Sequence, residues 1–248
     1  MWVNREVHAL QQRATLLLAL GEDDAAYANT ATAAALLAKV ARDDPQNRRW
    51  QVELANIELD LLKLKARRQP PATLLPEFAR VHATLEAAHR LDPRNAQWAT
   101  SEAVARGKLG AALLAAGDSA RAQQESAVAL ERLRRLQAAG GASQVLRLAL
   151  VEALLSSAAV QQALGDAQGA QAICRQAIGL IEPDMATMDF EVLDPWARVT
   201  LCLQEAGDTP IPWRRLQQVG YRDSVYRQLI VNHHRKPHEP SPQAPARP

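Results

Sequence analysis

The sequence is poor in the side chains from which β-sheets are built: aromatic residues make up only 4% of it, and alanine and leucine dominate its apolar set. Strands draw on valine, isoleucine, threonine and aromatics, so this balance argues against a β-rich fold and suits close helix-on-helix packing. No stretch reaches the ~18 consecutive apolar residues of a membrane span. Met1-Trp2-Val3-Asn4-Arg5-Glu6 also lacks the basic start and apolar run of a signal peptide. A formal net charge of +2 is too small to imply a nucleic-acid partner. Cysteine is almost absent: Cys174 and Cys202 each sit inside a helical pattern with no close partner in sequence. They read as small buried hydrophobes that say nothing about redox compartment.

The motifs of common active sites are missing as well. The chain has no Gly-x-x-x-x-Gly-Lys loop, no Gly-x-Gly-x-x-Gly after a strand, no His-Glu-x-x-His and no Cys-x-x-Cys. It is read as non-enzymatic, with no catalytic residue, cofactor or metal site expected. His233, His234 and His238 fall in a proline-rich tail that offers a metal no fixed geometry. His8, His82 and His89 are assigned to separate helices, facing solvent. The basic runs Lys63, Lys65, Arg67, Arg68 and Arg132, Arg134, Arg135 close helices, where cations offset the negative end. Without interleaved aromatics they make no nucleic-acid groove.

Repetition, by contrast, is plain. Asp44-Pro45-Gln46-Asn47-Arg48-Arg49-Trp50 returns 48 residues later as Asp92-Pro93-Arg94-Asn95-Ala96-Gln97-Trp98, and the same step reaches Trp2, Ser143 and Leu146. Gly21, Gly117 and Gly165 also lie on multiples of 48, each followed by an acid. Two markers in one register define a helical repeat array. In the first unit, Val3, Val7, Leu10, Ala14, Leu17 and Leu18 have the spacing of one helix face over residues 3–20. Gly21 stops that helix by taking the left-handed conformation, and a second, alanine-rich helix follows over 23–42. Pro45 ends the hairpin. Asn47, Asn95 and Ser143 are the expected N-caps of the next units, and Trp50 and Trp98 are expected to fill the gaps between successive hairpins.

Unit two runs from Trp50 to Leu91 with its turn at Gln69-Pro70-Pro71, unit three from Trp98 to Gln137, and unit four from Leu146 to Ile181. The register breaks after Glu182-Pro183. Asp194 is expected to cap a helix with Pro195 at its first position, and helices over 195–206, 212–219 and 222–232 are expected to close the array. The expected organisation is therefore a repeat array over 1–182, capping helices over 183–232 and a disordered tail over 233–248. The first helix begins without Asp-Pro-x-Asn before it, which reads as a late start or as the C-terminal part of a longer protein.

These units resemble the tetratricopeptide family, whose helix-turn-helix units carry a small residue on the first helix and two alanines on the second. Leu109-Gly110, Leu113, Ala122 and Ala129 fit in unit three; Ala158, Ala170 and Ala177 fit in unit four; Ala14, Leu17, Ala26 and Ala33 fit in unit one. The family unit has about 34 residues, so helices here are longer by about two turns. The aromatic of the family's second helix is Thr30, Ser126 or Cys174 here. Long units opening on Asp-Pro-x-Asn-x-x-Trp look like those found C-terminal to kinase or winged-helix modules in bacterial signalling proteins. The resemblance implies an all-α, right-handed α-solenoid of antiparallel hairpins and a scaffold or sensor role in protein interaction.

In that arrangement the first helix of each unit lines a concave groove. Glu53, Asn56, Asp60, Lys63 and Arg67 recur at steps of three and four, and so share one face. His8 and Gln12, Lys108, and Glu152 and Ser156 hold matching places in the other units. Mixed charge at these ten positions suits an extended peptide or another protein's helix. The family's clamp of lysines and asparagines for a terminal carboxylate is absent. The alternative is a structural module that self-associates through its N-terminal edge. A cytoplasmic setting is expected, or a periplasmic one if a membrane span lies upstream.

Overall fold

A computed structural model describes residues 2–140, 143–181, 190–203 and 211–228. All regular structure among them is helical: α1 (Trp2–Ala19), α2 (Asp23–Asp43), α3 (Arg48–Lys65), a 3-10 turn (Pro71–Leu74), α4 (Leu75–Leu91), α5 (Ala96–Ala115), α6 (Ser119–Ala138), α7 (Gln144–Ala163), α8 (Ala167–Ile178), α9 (Phe190–Leu203) and α10 (Ile211–Gln218). One further helical turn covers residues 224–228. The expected tail, the Glu182-Pro183 break and the Trp2 side chain lie outside the described residues.

The glycine-acid turns explain why the helices pair. Gly117 takes φ +85°, its N–H donates to the Leu114 carbonyl, and the Asp118 N–H donates to Leu113, both at 3.0 Å. This left-handed closure satisfies the last carbonyls of α5. Asp118 then turns its carboxylate on the Arg121 N–H at 3.1 Å and so starts α6. Gly165 and Asp166 repeat the arrangement, with Asp166 accepting from the Gly169 N–H at 2.8 Å. Two residues thus end one helix and begin the next, and the helices fold back on each other.

Small residues set how closely they pack. Ala26, Ala33, Ala122, Ala129 and Ala177 are fully buried. A Cβ added at Gly110 would lie 2.9 Å from the Ser126 hydroxyl and 3.3 Å from the Ala122 carbonyl, so α5 and α6 touch backbone to backbone at that point. Each helix packs on its chain neighbour, and α3, α5, α7 and α9 also touch in succession. Larger side chains fill the layers between hairpins: Trp98 packs on the cluster that holds Val52, Leu62, Phe78 and Leu85, and Trp50 on Val7, Leu37 and Ile57. α7 is long and apolar enough to cross a membrane; here it packs Leu146, Leu150, Val151 and Leu154 into the core.

Three local expectations change. Asn95 and Ser143 cap their helices through Trp98 and Leu146, but the Asn47 amide donates instead to Asp44 at 3.0 Å. Its neighbouring acid competes successfully for the side chain. The helix expected to begin at Pro195 begins at Phe190, with Pro195 inside it. Asp194 is therefore no cap and pairs with Arg198, one turn on, at 3.0 Å. The cysteines are not isolated hydrophobes: Cys174 of α8 is bonded to Cys202 of α9 across a Cα–Cα distance of 6.2 Å. Cys174 is fully buried, as expected, but the break in the repeat lays α9 against α8, which no spacing in sequence discloses.

Candidate functional site

Of the ten predicted groove residues, three line one open space and two line another. His8, Glu53 and Asn56 share an open cleft of about 520 Å³ between α1 and α3, with Asn4, Gln11, Arg49 and Gln97 on its walls. Val7, Leu37 and Ile57 form its floor, each at most 5% exposed. The 48-residue register explains the grouping, since His8 and Asn56 occupy equivalent positions on neighbouring helices. Arg49 holds Glu53 at 2.7 Å, and His8 meets Gln12 at 3.1 Å on the exposed side. The side-chain amide oxygen Oδ1 of Asn4 is buried without a hydrogen-bond partner, although its residue lines the cleft.

Arg67 and Glu152 lie elsewhere, in a second open pocket of about 330 Å³ lined also by Thr15, Leu18, Asp194, Arg198, Tyr221 and Asp223. Glu152 is the hub of its wall. Lys108 approaches it at 3.1 Å, and Arg198 grips it directly. Burial favours the neutral acid, but the charges of Arg198 and Lys108 outweigh it and hold the Glu152 carboxyl well below the usual range. Asp194 shifts the other way. Burial and the nearby Glu152 and Asp223 carboxylates raise it against the pull of Arg198, while the Tyr221 phenol, buried beside Asp194 and Asp223, is also pushed up.

Asp60 and Lys63 pair with each other at 2.7 Å on the same helix. Burial lowers the Lys63 ammonium, and Asp60 more than offsets this, so it is held above its ordinary value. Ser156, half-buried on α7, lines neither space. Asp194, Arg198, Tyr221 and Asp223 were missed in sequence because they lie beyond the register break. The one legible signal was the Asp194/Arg198 pair at helical spacing.

A second polar cluster is buried in the core. His82 and His89 share α4, and His82, only 8% exposed, meets the fully buried Glu102 of α5 at 3.0 Å. The solvent-facing assignment of His82 was therefore wrong. Arg106 binds Glu102 at 2.8 Å, Glu125 at 2.8 Å and Glu86 at 3.2 Å, and Arg132 contacts Glu102 from α6. Burial alone would raise the Glu102 carboxyl. Hydrogen bonds from His82 and Arg106 and the charges of Arg106 and Arg132 bring it down to about 2. In the register, Glu102 stands where units two and four have Leu54 and Leu150 and unit one has Glu6, and His82 where the others have Ala34, Leu130 and Ile178. That exchange of apolar for polar was the available signal.

Chemically, the second pocket carries two arginines and four carboxylates on its lining, with Arg67 and Arg198 paired to Asp223, Glu152 and Asp194. The outer cleft presents carboxamides, with both donors and acceptors, above an apolar floor. No three His, Cys, Asp or Glu side chains gather as a metal site among the described residues. No protein-family model matches the chain, and no curated protein is matched by its sequence.

Proposed function

We propose that the chain is a protein-interaction module: a right-handed superhelix of hairpins of the tetratricopeptide type, whose outer cleft holds an extended peptide from a protein partner. The observation that carries this reading is the make-up of the cleft. Asn4, Gln11, Asn56 and Gln97 line an open space above Val7, Leu37 and Ile57. Carboxamides can both donate to and accept from a peptide backbone, and the apolar floor suits a side chain projecting from it. The unpartnered Asn4 oxygen supports the same reading. A buried acceptor without a donor costs ~1–3 kcal/mol, which a peptide N–H would relieve.

The resemblance of the repeat wording to units in bacterial signalling proteins extends the proposal. It makes the chain the partner-reading part of such a protein, without catalysis of its own.

The test is a peptide array probed with the folded chain and with Asn56→Arg, which fills the cleft. Peptides retained by the wild type should lose at least tenfold in affinity, and thermal unfolding should stay in place because Asn56 is only half-buried. Retention of the same peptides by the variant, or of none by the wild type, would sink the reading.

A further inference from the structure

The outer cleft holds positive charge that the chain leaves unneutralised. Arg5 and His8 line it from α1, and Arg49, Glu53 and Asn56 line it from α3. Its lining thus sets two arginines against one carboxylate. That carboxylate is already engaged, because Arg49 meets Glu53 at 2.7 Å one turn away on the same helix. Arg5, exposed on α1, has no acidic partner among the described residues. The His8 ring meets the Gln12 carboxamide rather than an acid.

The register shows how far this wall departs from the rest of the repeat. Arg5 stands one unit before Glu53, so equivalent positions on neighbouring helices carry opposite charges, yet Glu53 turns to Arg49. Asn4 and Gln11 stand where the second unit has Val52 and Leu59, which are buried in one cluster with Phe78 and Leu109. Polar side chains therefore occupy positions that pack as core one unit later, and the space beside them is open. An unpaired cation at the edge of a cleft with an apolar floor projects its field into the opening. A guanidinium also offers a planar fork that matches a carboxylate with two parallel hydrogen bonds.

We propose that the segment held in the outer cleft is acidic: it carries an Asp or Glu side chain that Arg5 engages, beside an apolar side chain set over Val7, Leu37 and Ile57. The carboxamides of Asn4, Gln11 and Asn56 hold its backbone, and Arg5 selects the sign of its charge. This assignment rests on the peptide-binding reading above and adds the chemistry of the peptide. Glu53, kept by Arg49, does not compete for Arg5.

The probe is a library of heptapeptides capped at both ends, with leucine fixed at the centre and the other positions randomised, so that side chains supply every charge. On the immobilised full chain, peptides with Asp or Glu beside the leucine are enriched about threefold or more over those with Asn or Gln. The enrichment shrinks as salt rises from about 0.05 to about 0.5 M. Arg5→Gln abolishes it while peptides are still retained, and Arg5→Glu reverses it toward Lys and Arg. Arg13→Gln is the control: Arg13 is exposed on the same helix but off the cleft lining, and its loss leaves the enrichment unchanged. Thermal melts of all these variants coincide with wild type, since both arginines are exposed. Peptides retained without acidic preference, or with one that survives Arg5→Glu, overturn the charge assignment and leave peptide binding standing. Retention only of peptides with a free C-terminus moves the contact to a terminal carboxylate and overturns it as well. Retention of no peptide of either kind overturns the peptide-binding reading itself, and this assignment with it.

Discussion

Glu102 is the residue at which the repeat departs most from an apolar core. Its fully buried carboxylate is held by His82, Arg106 and Arg132, so removing it alone leaves the buried His82 ring without that partner, takes one carboxylate from each arginine and opens a cavity. Glu102→Ala should therefore cost ~3–5 kcal/mol. The double variant His82→Leu with Glu102→Leu returns both positions to leucine-like packing. Arg106 keeps Glu86 and Glu125, and Arg132 can extend to solvent. The double variant should lie within ~1 kcal/mol of wild type, as urea melts would show. The same carboxyl sets an acid limit. Its folded value of about 2 lies below the ordinary 4.5, so its contribution is complete above pH 4.5 and is lost as pH falls toward 2. A loss on the order of 3 kcal/mol is expected across that window, absent from the double variant.

At the scale of elements, two glycines on α5 separate the effects of helix propensity and packing. Both lie in the helix interior, where glycine is worth ~1 kcal/mol less than alanine. A Cβ at Gly107 would come no nearer than 3.9 Å to Ala129, but one at Gly110 would press on Ser126 and the Ala122 backbone. Gly107→Ala should stabilise by ~0.5–1 kcal/mol, whereas Gly110→Ala should destabilise by ~1–3 kcal/mol. Equal shifts in thermal unfolding would mean that α5 and α6 do not meet at Gly110. The glycine-acid turns obey a related logic. A two-residue connection that both ends and starts a helix leaves adjacent helices little choice but to pair.

Across the molecule, the ties between the last helices and the repeat include the Cys174–Cys202 bond to α8, the Glu152–Arg198 pair to α7, and the Asp223–Arg67 pair with the first two hairpins. The covalent tie closes a sequence separation of 28 residues, and its loss in Cys174→Ser with Cys202→Ser should cost ~3–4 kcal/mol through the freer unfolded chain. A denaturant midpoint unchanged from wild type would show that the bond does not form in solution. A repeat array with independent ends would have its least protected helices at its margins. Here residues 222–224 touch the turn after α1, so the first hairpin has a neighbour at Ala19 and Gly21 that its own unit does not supply.

The elements and their partners in chain order were legible in the residues alone. Gly21, Gly117 and Gly165, the capping Asn95 and Ser143, and the alanines at Ala26, Ala33, Ala122 and Ala129 act through contacts a few residues away or one hairpin apart, and local chemistry is legible at that range. The residues also placed His8, Glu53 and Asn56 on one face, because a constant register carries a position from helix to helix. Only the tertiary structure decided how the chain packs beyond the register break. The pairing of Cys202 with Cys174, the grip of Arg198 on Glu152 and the return of Asp223 to Arg67 join residues tens to more than a hundred positions apart. No periodicity links them; they meet because α9 and residues 221–228 fold back over the repeat. Glu102 and His82 belong to both halves: their polarity broke the pattern in plain view, but only packing showed that they break it together.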